Sequence, residues 1–125
     1  MDTRGDEEIF TTWTSELDDG NLVALYLCGE LDASSAPSFL ADVRNLAETG
    51  KHVMVDVHLL TYIDSTGVSA LLSIRNALKR AGKRMCLVGC HGVLTRIIEV
   101  TRVDREFPCF DDLDEAIVQM NSSGS

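Results

Sequence analysis

Between Lys51 and Gly82 the spacing of apolar residues changes once, and that change fixes the local fold. Val53, Val55 and Val57, with Met54 between them, form a β-branched apolar run, the pattern of a strand inside a sheet covered on at least one face. After Ile63 the spacing becomes helical. At about 100° per residue, Ala70, Leu71, Ile74, Ala77, Leu78 and Ala81 fall on one arc, with Ser69, Ser73, Asn76 and Arg80 opposite. Asp64, Ser65 and Thr66 stand at the junction, and each carries an oxygen able to accept from the orphan N–H groups of a helix start. The stretch therefore predicts a buried strand, a loop over His58 to Tyr62 anchored by Tyr62 and Ile63, and a helix over 65–81.

One hydroxyl, that of Ser65, is thereby placed at a helix mouth, where unpaired amides and the positive end of the helix dipole favour a phosphate. Ser65 is the candidate phosphoacceptor, although a bare Asp-Ser-Thr-Gly is first of all a capping sequence. On the same helix Val68, Leu72, Arg75 and Lys79 lie between the two arcs. Such a strip of apolar and basic residues reads either as a surface for a protein partner or as the margin of a wide core stripe.

The remaining segments build around this unit. Ile9 to Leu17 and Leu22 to Cys28 flank the turn cluster Asp18-Asp19-Gly20-Asn21 and predict a β-hairpin. Ser34 or Ser35 can cap a helix that takes Pro37 in its first turn, buries Phe39, Leu40, Val43, Leu46 and Ala47, and ends near Thr49 before Gly50. Arg84 to Gly89 predict a fourth strand, parallel to the third because a helix joins them. A helix over Gly92 to Val100, a short edge strand within Glu106 to Phe110 and a last helix ending near Met120 complete the chain. The expected fold class is α/β: a mixed four- to five-stranded sheet with an N-terminal hairpin and helices mainly over one face.

A chain of 125 residues, 45% hydrophobic and 25% charged, suits one domain. Residues 9–120 form it, between an acidic arm at 1–8 and a tail at 121–125, both expected to be disordered. The net charge of −9 argues against nucleic acid and for a protein partner. No stretch reads as a signal peptide or a membrane span, so the expected location is the cytoplasm, where Cys28, Cys86, Cys90 and Cys109 stay reduced. They read as small buried hydrophobes; Cys86, Cys90 and His91 do not make a four-ligand zinc set, and a redox role for Cys86 or Cys90 has no lowered thiol pKa behind it. His52, His58 and His91 bracket strand ends, none beside a nucleophile, and no phosphate-binding glycine loop occurs, so neither catalysis nor a cofactor is expected.

The pattern Val-Asp-Val-(x)5-Ile-Asp-Ser-Thr-Gly-Val with its apolar helix, Gly29-Glu30-Leu31-Asp32 upstream and Phe107-Pro108 downstream, resembles the STAS domains of bacterial anti-sigma factor antagonists from about Ile9 to Val118. The resemblance implies that Ser65 is reversibly phosphorylated, with Asp32, Asp64, Thr66 and Gly67 as its surroundings. It also implies that the unphosphorylated protein binds an anti-sigma factor, itself a serine protein kinase, and frees a sigma factor, with a PP2C-type phosphatase to reset the switch. Two other roles are open to such a domain: binding a nucleotide or other anion at the Ser65 helix mouth, or serving as a structural subunit of a stressosome or lipid-transport complex. Family members commonly have a glycine where this sequence has Arg102, which predicts either a left-handed arginine or a different helix end.

Overall fold

The computed structural model describes residues 10–17, 20–102 and 108–122. Its elements are β1 (Thr11–Leu17), β2 (Leu22–Leu31), α1 (Ala36–Ala47), β3 (His52–Ile63), α2 (Ser65–Arg80), β4 (Met85–Val88), α3 (Gly92–Thr101), β5 (Cys109–Phe110) and α4 (Leu113–Ser122). The strands form one sheet in the order β1-β2-β3-β4-β5, which is also their order in the chain. β1 and β2 pair antiparallel as a hairpin, and every later neighbour is parallel.

Strand alternation divides the buried residues into two layers. Val23, Leu25 and Leu27 of β2 and Val53, Val55 and Val57 of β3 point to one face, where Phe39 and Val43 of α1, Leu71, Ile74 and Leu78 of α2, and Leu94 and Ile98 of α3 cover them. Phe39 has no exposed surface and meets Phe10 edge-on, ring centroids 5.9 Å apart at 86°. On the other face Leu22, Ala24, Met54, Cys86 and Val88 are covered by Ala116 and Met120 of α4. With each of the three crossover helices on the same side and the sheet growing in one direction, the crossovers share one hand, as parallel connections do.

Four local features depart from the sequence reading. β3 continues through the expected loop at 58–62, because β2 keeps pairing with it beyond two register shifts, at Tyr26/Cys28 and at Gly29/Glu30. Such bulges break the period-2 pattern that reveals a strand, so His58, Leu59, Thr61 and Tyr62 are exposed while Leu60 and Ile63 are buried. Ile63 is thus an anchor; Tyr62, at 48% exposure, is not. Ser35 occupies the N-cap position of α1 without a capping side-chain bond, since its hydroxyl donates to the Glu30 carbonyl at 2.7 Å. α4 runs to Ser122, past the expected end near Met120, while the edge strand is only Cys109–Phe110, with residues 103–107 outside the described part. The acidic arm at 1–8 and residues 123–125 of the tail also lie outside it.

Arg102 closes α3 in the left-handed region, φ 61° and ψ 25°. A side chain there costs on the order of 1 kcal/mol relative to glycine. Arg102→Gly should therefore stabilise the fold by roughly 0.5 to 1 kcal/mol. Thermal melting followed by circular dichroism checks this through a midpoint a few degrees higher.

Candidate functional site

The end of β2, the end of β3 and the start of α2 converge on one point. Leu31 is the register partner of Ile63, so the chain leaves both strands side by side, and the Asp64 amide donates to the Leu31 carbonyl at 3.4 Å. The loop that carries Asp32 is thereby brought beside the loop that carries Ser65. Asp64 is extended and caps α2: its Oδ1 accepts from the Gly67 amide at 3.0 Å, and its carbonyl accepts from the Val68 amide at 2.9 Å. Ser65 and Thr66 are the first two helical residues, both exposed, and the Ser65 hydroxyl makes no hydrogen bond among the described residues. Their amides precede the first intrahelical bond, Val68 N–H to the Asp64 carbonyl, and so have no partner within the helix.

Gly67 is what lets α2 begin so close to the sheet. A Cβ at that position would stand 2.5 Å from the Leu31 carbonyl oxygen and 2.6 Å from Ile63 Cγ1. Asp32 is held on the opposite lip by its own turn, its Oδ1 accepting from the Ser34 hydroxyl at 2.7 Å, the Ser34 amide at 3.0 Å and the Ser35 amide at 3.2 Å. The Ser34 hydroxyl above all holds the Asp32 carboxyl below its ordinary pKa, against a smaller opposing effect of desolvation. The predicted surroundings of Ser65 are thus gathered at one end of the sheet, with Asp32 anionic.

The strip along α2 is only partly a surface. Val68, at 7% exposure, packs into the main core, which corrects its placement on the shoulder: the apolar arc is wider than the sequence spacing indicates. Leu72 is half-buried against the same core, Arg75 is half-buried and Lys79 is exposed.

Exposed large side chains instead gather on the sheet face that α4 leaves open. Trp13 stacks on Tyr26, centroids 5.3 Å apart and planes 11° from parallel, and Leu59 and Tyr62 stand on β3 at 42% and 48% exposure. Tyr62 pairs with Glu30 and is three residues from Ser65. Sequence reading missed this patch because aromatic and aliphatic residues in strands look like core; the usable signal was the polar His58 and Thr61 interleaved with them.

Of the four cysteines read as buried, Cys86 is, Cys28 and Cys90 are half-buried and Cys109, on the edge strand, is exposed. His58 lies within β3 instead of at a strand end, its Nδ1 2.5 Å from Oδ1 of the buried Asp56, and His52 Nδ1 accepts from the Arg84 amide at 3.0 Å. Burial pushes the Cys86 thiol up to about 12, and Cys90 is raised by its hydrogen bond with Cys109 and then by burial. Among the described residues no group of three or more His, Cys, Asp or Glu could hold a metal ion.

The family profile described as STAS domain matches residues 14–116. The anti-sigma-B factor antagonist of Bacillus subtilis (strain 168) is 27% identical over 81 residues, 65% of this chain and 74% of that protein. The crystal structure of an anti-sigma factor antagonist from Mycobacterium paratuberculosis superposes with a TM-score of 0.82 at 20% identity, over 90% of this chain and 95% of that one. The Bacillus cell fate determinant SpoIIAA in its phosphorylated form does so with a TM-score of 0.68 at 18% identity, over 87% and 98%. At these identities the two structures establish a shared fold.

Two substitutions probe the geometry. Gly67→Ala should lose roughly 1 to 3 kcal/mol, because the added methyl meets a backbone carbonyl that cannot turn away. Asp64→Ala should lose about 1 kcal/mol with its cap. Urea titration of both variants measures these losses, and a Gly67→Ala midpoint equal to that of the parent would contradict the close approach.

Proposed function

We propose that this chain, which belongs to the STAS domain family, is an anti-sigma factor antagonist switched by phosphorylation of Ser65. The observation that carries the reading is the exposed, unbonded Ser65 hydroxyl at the first turn of a helix whose cap is supplied by the neighbouring Asp64. The relative from Bacillus subtilis is an anti-sigma-B factor antagonist, and a structural neighbour is known in a phosphorylated form. In this reading the unphosphorylated protein binds an anti-sigma factor and frees a sigma factor. The partner is also the serine kinase, so ATP belongs to the partner; a PP2C-type phosphatase restores the hydroxyl. The chain is a regulatory binding protein and no enzyme, and it works in the cytoplasm. Among its described residues no helix is long and apolar enough to cross a membrane.

The partner docks over the Ser65 loop, reaching Leu72, Arg75 and Lys79 along α2 and Tyr62 and Leu59 on the open sheet face. Exposed apolar groups beside a polar rim are what an interface uses. A phosphate at a helix mouth is favoured by its own helix, so the domain has no reason to rearrange. The penalty falls on the complex. A phosphate ~6 Å from one acidic group of the partner costs ~3 kcal/mol per unit charge at an effective dielectric near 20, about a hundredfold in affinity.

Incubation with the cognate kinase and ATP, followed by peptide mapping, should place the phosphate on Ser65; phosphate on Thr66, or none in residues 61–69, overturns the assignment. Phosphorylation should lower partner affinity at least tenfold, with NMR shift changes confined to the Ser65 loop and the first turns of α2. Shift changes reaching the hairpin and α4 would contradict the local mechanism. Ser65→Ala should bind constitutively, Ser65→Asp weakly, and Leu72→Glu should abolish binding with only a small fall in melting temperature, since Leu72 is half-buried against the core; a loss of several kcal/mol would make Leu72 a core residue instead.

A further inference from the structure

At the end of the sheet away from Ser65, where β4 and β5 begin, lies a cavity of about 570 Å³. Its position follows from the topology. α2 covers one face of the sheet and α4 the other, and residues from the C-terminal halves of both line the cavity together with Phe110 of β5. Met85, Pro108, Phe110 and Met120 supply apolar lining, and Arg75, Lys79, Lys83 and Arg84 supply cations. Arg75 and Lys79 are ten and fourteen residues into α2, roughly 15 and 21 Å along its axis from Ser65, so the two sites are separate.

The sign of the lining is unusual for this chain. The sequence has 20 acidic and 11 basic residues; eight acidic and two basic ones lie outside the described part, which leaves twelve and nine, and of these four basic residues and no acidic one line the cavity. The positive field is felt by a neighbour: the His52 imidazole is pushed down by burial and then by Arg84 and Lys83. Two of the cations are already engaged, Arg84 donating to the Met120 carbonyl and Arg75 Nη1 to Asn76 Oδ1 at 3.2 Å. The ammonium groups of Lys79 and Lys83 make no hydrogen bond or ion pair among the described residues. The volume lies in the 300 to 1,000 Å³ range of small-molecule sites, which combine an apolar wall with a few convergent polar groups.

We propose that this cavity binds a small amphipathic anion, a carboxylate or phosphate carried on an apolar chain or ring, with the anionic group at Lys79 and Lys83 and the apolar part against Met85, Phe110 and Met120. Neither half suffices alone. Solvated lysines hold a free anion weakly in water, and an apolar cleft without charge does not select an anion from a neutral lipid. Arg75 and Lys79 also belong to the strip proposed for the protein partner, but the ligand test uses the isolated chain and stands or falls without that partner.

The experiment is a calorimetric and NMR titration of the full chain with decanoate, decyl phosphate, decanol and inorganic phosphate, each below micelle-forming concentrations. Decanoate or decyl phosphate should saturate one site and shift the resonances of Met85, Phe110 and Met120, with decanol and inorganic phosphate at least tenfold weaker. Lys79→Glu/Lys83→Glu should weaken decanoate binding at least tenfold. Arg44→Glu/Arg80→Glu, the same change in charge away from the cavity, should leave it within twofold; circular dichroism confirms that both fold. Co-sedimentation with phosphatidylglycerol vesicles that depends on Lys79 and Lys83 assigns the anion to a lipid surface, and saturation by decanoate without co-sedimentation assigns it to a soluble ligand. The proposal is overturned if no anion saturates below 1 mM, if decanol binds as tightly as decanoate, or if the two double variants weaken binding equally.

Discussion

The contact between the first turn of α2 and the end of β2 governs the geometry of the domain. Leu31 is the register partner of Ile63, offers its carbonyl to the Asp64 amide, and leaves room beside that carbonyl for a residue with no side chain, Gly67. A side chain there would push the helix off the sheet, and Val68, Leu71 and Ile74 would lose their seats above Val55 and Val57. Packing of the longest helix and presentation of Ser65 thus depend on one close approach. The hydroxyl is held outward by the same turn that starts the core.

The sequence is legible where one face of an element is uniformly apolar. Val53, Val55 and Val57 announced β3, and the arc from Ala70 to Ala81 announced α2, because each residue in these runs meets one environment. The capping residues at the start of α2 were also readable, since few side chains can accept from free helix amides, whereas the end of α3 was left between two alternatives that the left-handed Arg102 decides. Legibility fails where pairing with a distant strand overrides local pattern. Residues 58–62 read as loop because two bulges against β2 scramble their alternation, and Val68 read as shoulder because the width of the covered arc depends on how deeply α2 settles between its neighbours. The open patch of Trp13, Tyr26, Leu59 and Tyr62 was missed for a related reason: strand residues of this kind look like core, and which of them stay uncovered depends on where α4 lies on the sheet.

Charge is distributed unevenly over the molecule. One end of the sheet carries Ser65 with Asp64 capping its helix and the Asp32 turn on the neighbouring loop; the other gathers Arg75, Lys79, Lys83 and Arg84 around an apolar cleft. α2 connects them, and its dipole opposes this arrangement of side chains at neither end: the Asp64 carboxylate caps its N-terminus, while Lys79 and Arg80 occupy its last turn.

Because the strands lie in the sheet in the order in which they occur in the chain, the growing edge left by each strand from β2 on is covered by the next to be synthesised. The hairpin closes first, β3 adds to β2 once α1 has emerged, and β4 adds to β3 after α2, so no strand need wait for a distant partner or insert between two already paired. A chain built this way can fold vectorially as it leaves the ribosome, the growing edge advancing from β2 toward β5 while β1 stays at the other edge. The two-residue strand β5 is the end of that process, pairing with Leu87 and Val88 of the four-residue β4.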